Sequence, residues 1–167
     1  VTAPDVNRAD MPEVTDERAL LDGWLDHYRT TLSHKCAGLT AERLVERSCP
    51  PSPMSLAFLV RHMTEMERAY AHRFVEPQVG LLYCTETSPD GDLDDASVQT
   101  ALADLTTFTE HCARSRELLA GRSLDDTGYA SHRYTLRWAY LYLVKEYARH
   151  LGHADLIRER IDGATGE

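Results

Sequence analysis

The chain has 167 residues, 43% of them hydrophobic and 27% charged, with a net charge of −9. That length supports one domain with a sizeable core. Acids spread along the whole chain argue against nucleic acid as the main partner, because phosphate binding needs a basic face.

Residues 1–14 read as a flexible N-terminal segment ahead of a single domain over residues 15–167. They lack the basic start and apolar stretch of a secretion signal. No apolar run approaches the roughly 20 residues that span a bilayer, so a cytoplasmic protein without membrane attachment is expected. Thr15, followed by Asp16 and Glu17, predicts a helix start: a capping hydroxyl, then acids at the positive end of the dipole. From Asp16 to about Cys36 the chain carries Leu20, Leu21, Trp24, Leu25, Tyr28 and Leu32 at helical spacing, and Gly38 closes the run. Thr40 starts a short helix through Arg47, stopped before Cys49-Pro50-Pro51.

A second long helix begins between Ser52 and Ser55 and runs to about Val75, with Leu56, Leu59, Val60, Met63, Tyr70 and Phe74 on one stripe. Pro77 to Asp95 contains Pro89-Asp90-Gly91-Asp92 and reads as a loop, with Val79–Leu82 extended. A third helix is expected from about Ala96 to Ala120, with Val98, Leu102, Leu105, Phe108, Cys112 and Leu119 inward. Gly121 to Ser131 connects it to a last helix, capped by Thr135, that runs to about Ile161 and ends at Gly163. Four long helices with no strand predict an all-α, antiparallel four-helix bundle whose long inter-helix connections leave room for a crossover. Of the four cysteines, none paired as CxxC, Cys36 and Cys112 fall in helices as small core residues, and Cys49 and Cys84 lie in loops.

The last helix carries the chemistry. At roughly 100° per residue, Ala139, Leu143, Ala154, Ile157 and Ile161 share one sector about 60° wide. Glu146 and His150 project into the same sector, whereas Lys145, Arg149, Asp155, Arg158 and Glu159 do not. A buried carboxylate without a partner costs several kcal/mol, so it takes up a proton, an ion pair or a metal. A spacing of four puts both heads over one spot. Periodicity leaves a hydrogen-bonded Glu–His pair, a salt bridge to arginine and a metal site all open. A third ligand would come from elsewhere: His62 sits about 90° from the centre of the second helix's stripe, with His72 and His153 as rival donors.

Several stretches resemble a known family. Leu136-Arg137-Trp138, the run Glu146-Tyr147-Ala148-Arg149-His150-Leu151-Gly152-His153-Ala154-Asp155 through Glu159, and Ile161-Asp162-Gly163 resemble the closing helix of the DinB-like superfamily. They are most similar to its branch of small actinobacterial proteins related to mycothiol-dependent maleylpyruvate isomerase and mycothiol S-transferases. Ser52-Pro53-Met54-Ser55-Leu56 and Leu59 through Arg68 match the second helix of that branch, and Lys35-Cys36-Ala37-Gly38-Leu39 fits the end of its first. The resemblance spans about residues 15–165. It implies a DinB-like four-helix bundle in which three side chains hold a divalent metal, falling here on His62, Glu146 and His150. The branch usually has His-Met where this chain has Tyr142-Leu143.

Two imidazoles and one carboxylate leave an open position on a divalent ion, which favours zinc, with iron or nickel as the alternatives. The resemblance implies a low-molecular-weight thiol, mycothiol above all, as co-substrate. The thiolate would attack a small electrophile to give an S-conjugate or an isomerised product. His153, Tyr142 and Arg149 are the candidates for orienting substrate or moving a proton. A metal-dependent hydrolase or cyclase and a non-catalytic metal-binding protein are the competing readings, and a homodimer is expected by analogy only.

Overall fold

Helix boundaries follow the local chemistry of the chain. In the computed structural model, which describes residues 1–128 and 134–166, α1 spans Glu17–Cys36. Its N-cap is Asp16 rather than Thr15: the Asp16 carboxylate accepts from the Ala19 N–H at 2.8 Å, which also places a negative charge at the helix's positive end. Gly38 follows α1 in the left-handed region at φ 75°. The short helix α2 covers Ala41–Leu44, three residues fewer than the sequence pattern extends to Arg47. α3 spans Leu56–Glu67, capped by the Ser55 hydroxyl on the Phe58 N–H. Its path continues through a π-helical turn, Arg68–His72, into α4, Arg73–Val75.

The expected loop after Val75 contains a further short helix, α5 at Gly91–Asp94, and Val79–Leu82 form no strand. α6 covers Ala101–Leu119. It begins later than expected, so Val98 lies outside it and is 37% exposed instead of facing inward. α7 covers Leu136–Asp162, capped by Thr135 on the Trp138 N–H and closed by Gly163 at φ 78°. The connection expected over Gly121–Ser131 lies partly outside the described residues. No helix among those described is long and apolar enough to cross a membrane.

Pairing between helices gives their directions. Along α1 and α7, Glu17 meets Arg137, Asp22 meets Tyr140 and Lys35 meets Asp155, so the two run parallel. Arg61 meets Asp104 and His72 meets His111, so α3 and α6 are parallel too. His62 against His150 and Tyr70 against Tyr142 run in opposite order, making α3 antiparallel to α7. The bundle is therefore not antiparallel throughout: residues 76–100 cross over to return the chain for a parallel partner.

Leu25, Leu32, Leu59, Met63, Phe108, Leu119, Leu143 and Tyr147 are fully buried between these helices. Each such aliphatic or phenyl side chain contributes roughly 1.5–3 kcal/mol on leaving water. Residues 1–14, expected to be a flexible segment, lie along α1. Ala3 is 3% exposed and exchanges hydrogen bonds with Leu39 and Gly38, while the Ala9 N–H donates to Thr30. Cys36 and Cys112 are buried and Cys49 and Cys84 half-buried, all four as free thiols.

Candidate metal centre

Because α3 and α7 run antiparallel, the middle of α3 faces the middle of α7. His62 from α3 meets Glu146 and His150 from α7, each offering one donor atom, and the three atoms lie within 4.8 Å of one another. Around tetrahedral zinc, donors bound at their usual distances sit about 3.3 Å apart. Two imidazoles and a carboxylate gathered this closely are a donor set that fits a divalent ion.

The surroundings prepare these groups as ligands. Glu146 is only 7% exposed. Burial alone would raise its pKa, but the Lys145 ammonium at 2.6 Å from Oε1, the Tyr142 hydroxyl and His150 outweigh it and hold the carboxyl ionised below its usual range. Oε2 lies 3.5 Å from His150 Nε2. The His150 pKa is lowered to about 4 by burial first, then by the neighbouring His62 and His153 rings. The ring is neutral near pH 7 and keeps a lone pair for coordination.

The sequence-derived candidates do not all converge. His153 Nδ1 lies 3.4 Å from His150 Nδ1, beside that ring. Tyr142 sits one turn before Glu146, and Arg149 is solvent-exposed on α7. His72, the other rival donor, is buried elsewhere and hydrogen-bonds the His111 carbonyl at 3.1 Å.

Two groups at the site were not legible in sequence. Asp92, on α5, places Oδ2 2.9 Å from His62 Nδ1. In sequence it belongs to an acidic Pro-Asp-Gly-Asp turn, and no periodicity distinguishes a buried acid there from a solvated one. Tyr70 stacks on Tyr142 with ring centroids 4.2 Å apart, and Trp138 lies beside Tyr142 at 5.0 Å. On a helical wheel Tyr70 reads as part of the second helix's apolar stripe; only packing against α7 brings it to Tyr142, beside Glu146.

An all-α bundle in which two imidazoles and a carboxylate converge between facing helices defines a class: helical proteins with three side chains that could hold a divalent metal. Within that class, residues 20–163 match the family model described as Mycothiol-S-transferase, and the chain belongs to this family. No curated protein and no solved structure matches the chain.

Proposed function

We propose that the protein is a metal-dependent mycothiol S-transferase in which His62, Glu146 and His150 hold a divalent cation, zinc by preference. The observation that carries this reading is the convergence of the three donor atoms between α3 and α7, in a chain of the mycothiol S-transferase family. A 2+ ion with three protein ligands keeps a position open, the pattern of catalytic rather than structural zinc. Bound there, it would lower the pKa of a coordinated thiol so that the sulfur reacts as thiolate near neutral pH.

The reaction balances simply. The thiol gives up its proton to solvent, and sulfur forms a bond to an electrophilic carbon. That carbon then either releases a leaving group with its electron pair or, in an addition, passes charge to a neighbouring atom that takes up a proton. Glu146 supplies one negative charge to the ligand set, so two neutral imidazoles leave the centre net positive and attractive to a thiolate. His153 steadies the His150 ring through the Nδ1 contact. Tyr142 and the rings beside it form the wall against which the electrophile is oriented. Arg149, exposed on the same helix, is the cation available to an anionic substrate at the rim.

Cobalt-substituted protein tests the reading. Mycothiol should shift the visible ligand-field bands and add a sulfur charge-transfer band. The Glu146→Gln variant, with a weakly donating amide, should lose metal and at least about a hundredfold in conjugation rate, more than an outer partner costs. Unchanged cobalt spectra on adding thiol would sink the transferase reading in favour of water activation. Wild-type protein that retains no metal after reconstitution would sink the metal centre itself.

A further inference from the structure

The turn of α3 that presents His62 also holds the crossover segment. Glu65, buried one turn after Arg61, accepts from the backbone N–H groups of Leu82 at 2.8 Å, Cys84 at 2.9 Å and Tyr83 between them. Arg61 donates to the Gly91 carbonyl at 2.8 Å and to Asp104 at 3.3 Å, with its guanidinium 4.0 Å over the Tyr83 ring. The Tyr83 hydroxyl donates to the other oxygen of Asp104 at 3.0 Å. The segment is thus fastened to α3 and α6 before Asp92 is considered. Asp92, itself 7% exposed, then reaches His62 Nδ1 at 2.9 Å.

An ionised carboxylate only accepts hydrogen bonds. Opposite Asp92, the neutral His62 ring must carry its proton on Nδ1, which leaves the Nε2 lone pair as the donor atom. Metal-bound histidines commonly rely on such a partner to fix their tautomer and orientation.

We propose that Asp92 is a positioning residue of the metal centre, fixing His62 as an Nε2 donor, and that the crossover segment serves to carry it there. This rests on the metal reading above, but its first test does not. Long-range nitrogen–proton correlation spectra of the full, metal-free chain report the His62 tautomer directly, and Nδ1–H is expected. Zinc affinity, measured by competition with a chromogenic chelator, should fall roughly 10–100-fold in Asp92→Ala. Asp92→Asn, which keeps an acceptor oxygen, should recover most of that loss.

A wild-type His62 protonated on Nε2 overturns the proposal. So does an Asp92→Ala protein with native circular dichroism and wild-type zinc affinity. If the alanine variant fails to fold, the wild-type spectrum and the asparagine variant still decide. Absence of zinc binding in the wild type would instead count against the metal centre, while the tautomer continues to judge Asp92.

Discussion

Tyr142 occupies the position one turn before Glu146 on α7. Its ring lies between Tyr70 and Trp138, and Lys145 sits 4.0 Å over its face while reaching Glu146 at 2.6 Å. The Tyr142 hydroxyl hydrogen-bonds Glu146, while its ring holds the Lys145 ammonium by its π face. Tyr142→Phe keeps the stack and loses only the hydroxyl's hydrogen bonds, so stability should fall by about 0.5–1.5 kcal/mol. Under the transferase reading, Tyr142→Ala should raise the KM for the electrophile well above that of Tyr142→Phe, with the KM for thiol little altered. Steady-state kinetics varying each substrate in turn checks this, and equal effects on both would argue that the ring serves packing alone.

At the scale of elements, α3 and the crossover segment together build one wall of the site. The π-helical turn Arg68–His72 winds more slowly than an α-helix. Tyr70 lies within this turn, where it meets Tyr142. Gly91 is the tight point of the crossover. A Cβ there would clash with the Tyr83 carbonyl oxygen and stand 2.8 Å from Ser88 Oγ. Gly91→Ala must displace backbone that Arg61 and Asp92 depend on, at a cost of about 1–3 kcal/mol. Chemical denaturation should register that loss, and zinc affinity should fall with it. This π turn escapes a helical wheel because it departs from 3.6-residue periodicity.

For the molecule as a whole, a polar knot ties α1, α3 and α7. Arg29 donates to both Glu67 oxygens at 2.8 Å, and the Tyr147 hydroxyl donates to Oε1 at 2.7 Å. Glu67 is 0% exposed. Glu67→Gln removes the buried charge opposite Arg29, leaving it only the half-exposed Asp26 at 3.1 Å, and should cost about 3–5 kcal/mol, lowering Tm by on the order of 10 °C. Burial pushes the Glu67 pKa up, but the Arg29 charge and hydrogen bonds from Arg29, Ser115 and Tyr147 win, so it lies below the usual carboxylate range. A depressed native pKa gives stability that is fully present above the unfolded value of about 4.3. That stability is lost as pH falls through the native value. The wild type's resistance to denaturation should therefore fall in acid, and Glu67→Gln should show a shallower acid dependence. Sequence alone determined the long helices, most caps and the placement of Glu146 and His150 on a core-facing stripe, because these follow from local propensity and a fixed 100° step. The resemblance singled out His62, which periodicity left at a stripe's edge. Only the tertiary structure decided the parallel pairing of α1 with α7 and α3 with α6. It alone brought Asp92 to His62 and Glu67 to Arg29. Those contacts join residues 30 and 38 positions apart, and nothing in a local pattern distinguishes a distant charge that will be buried with a partner from one left in water.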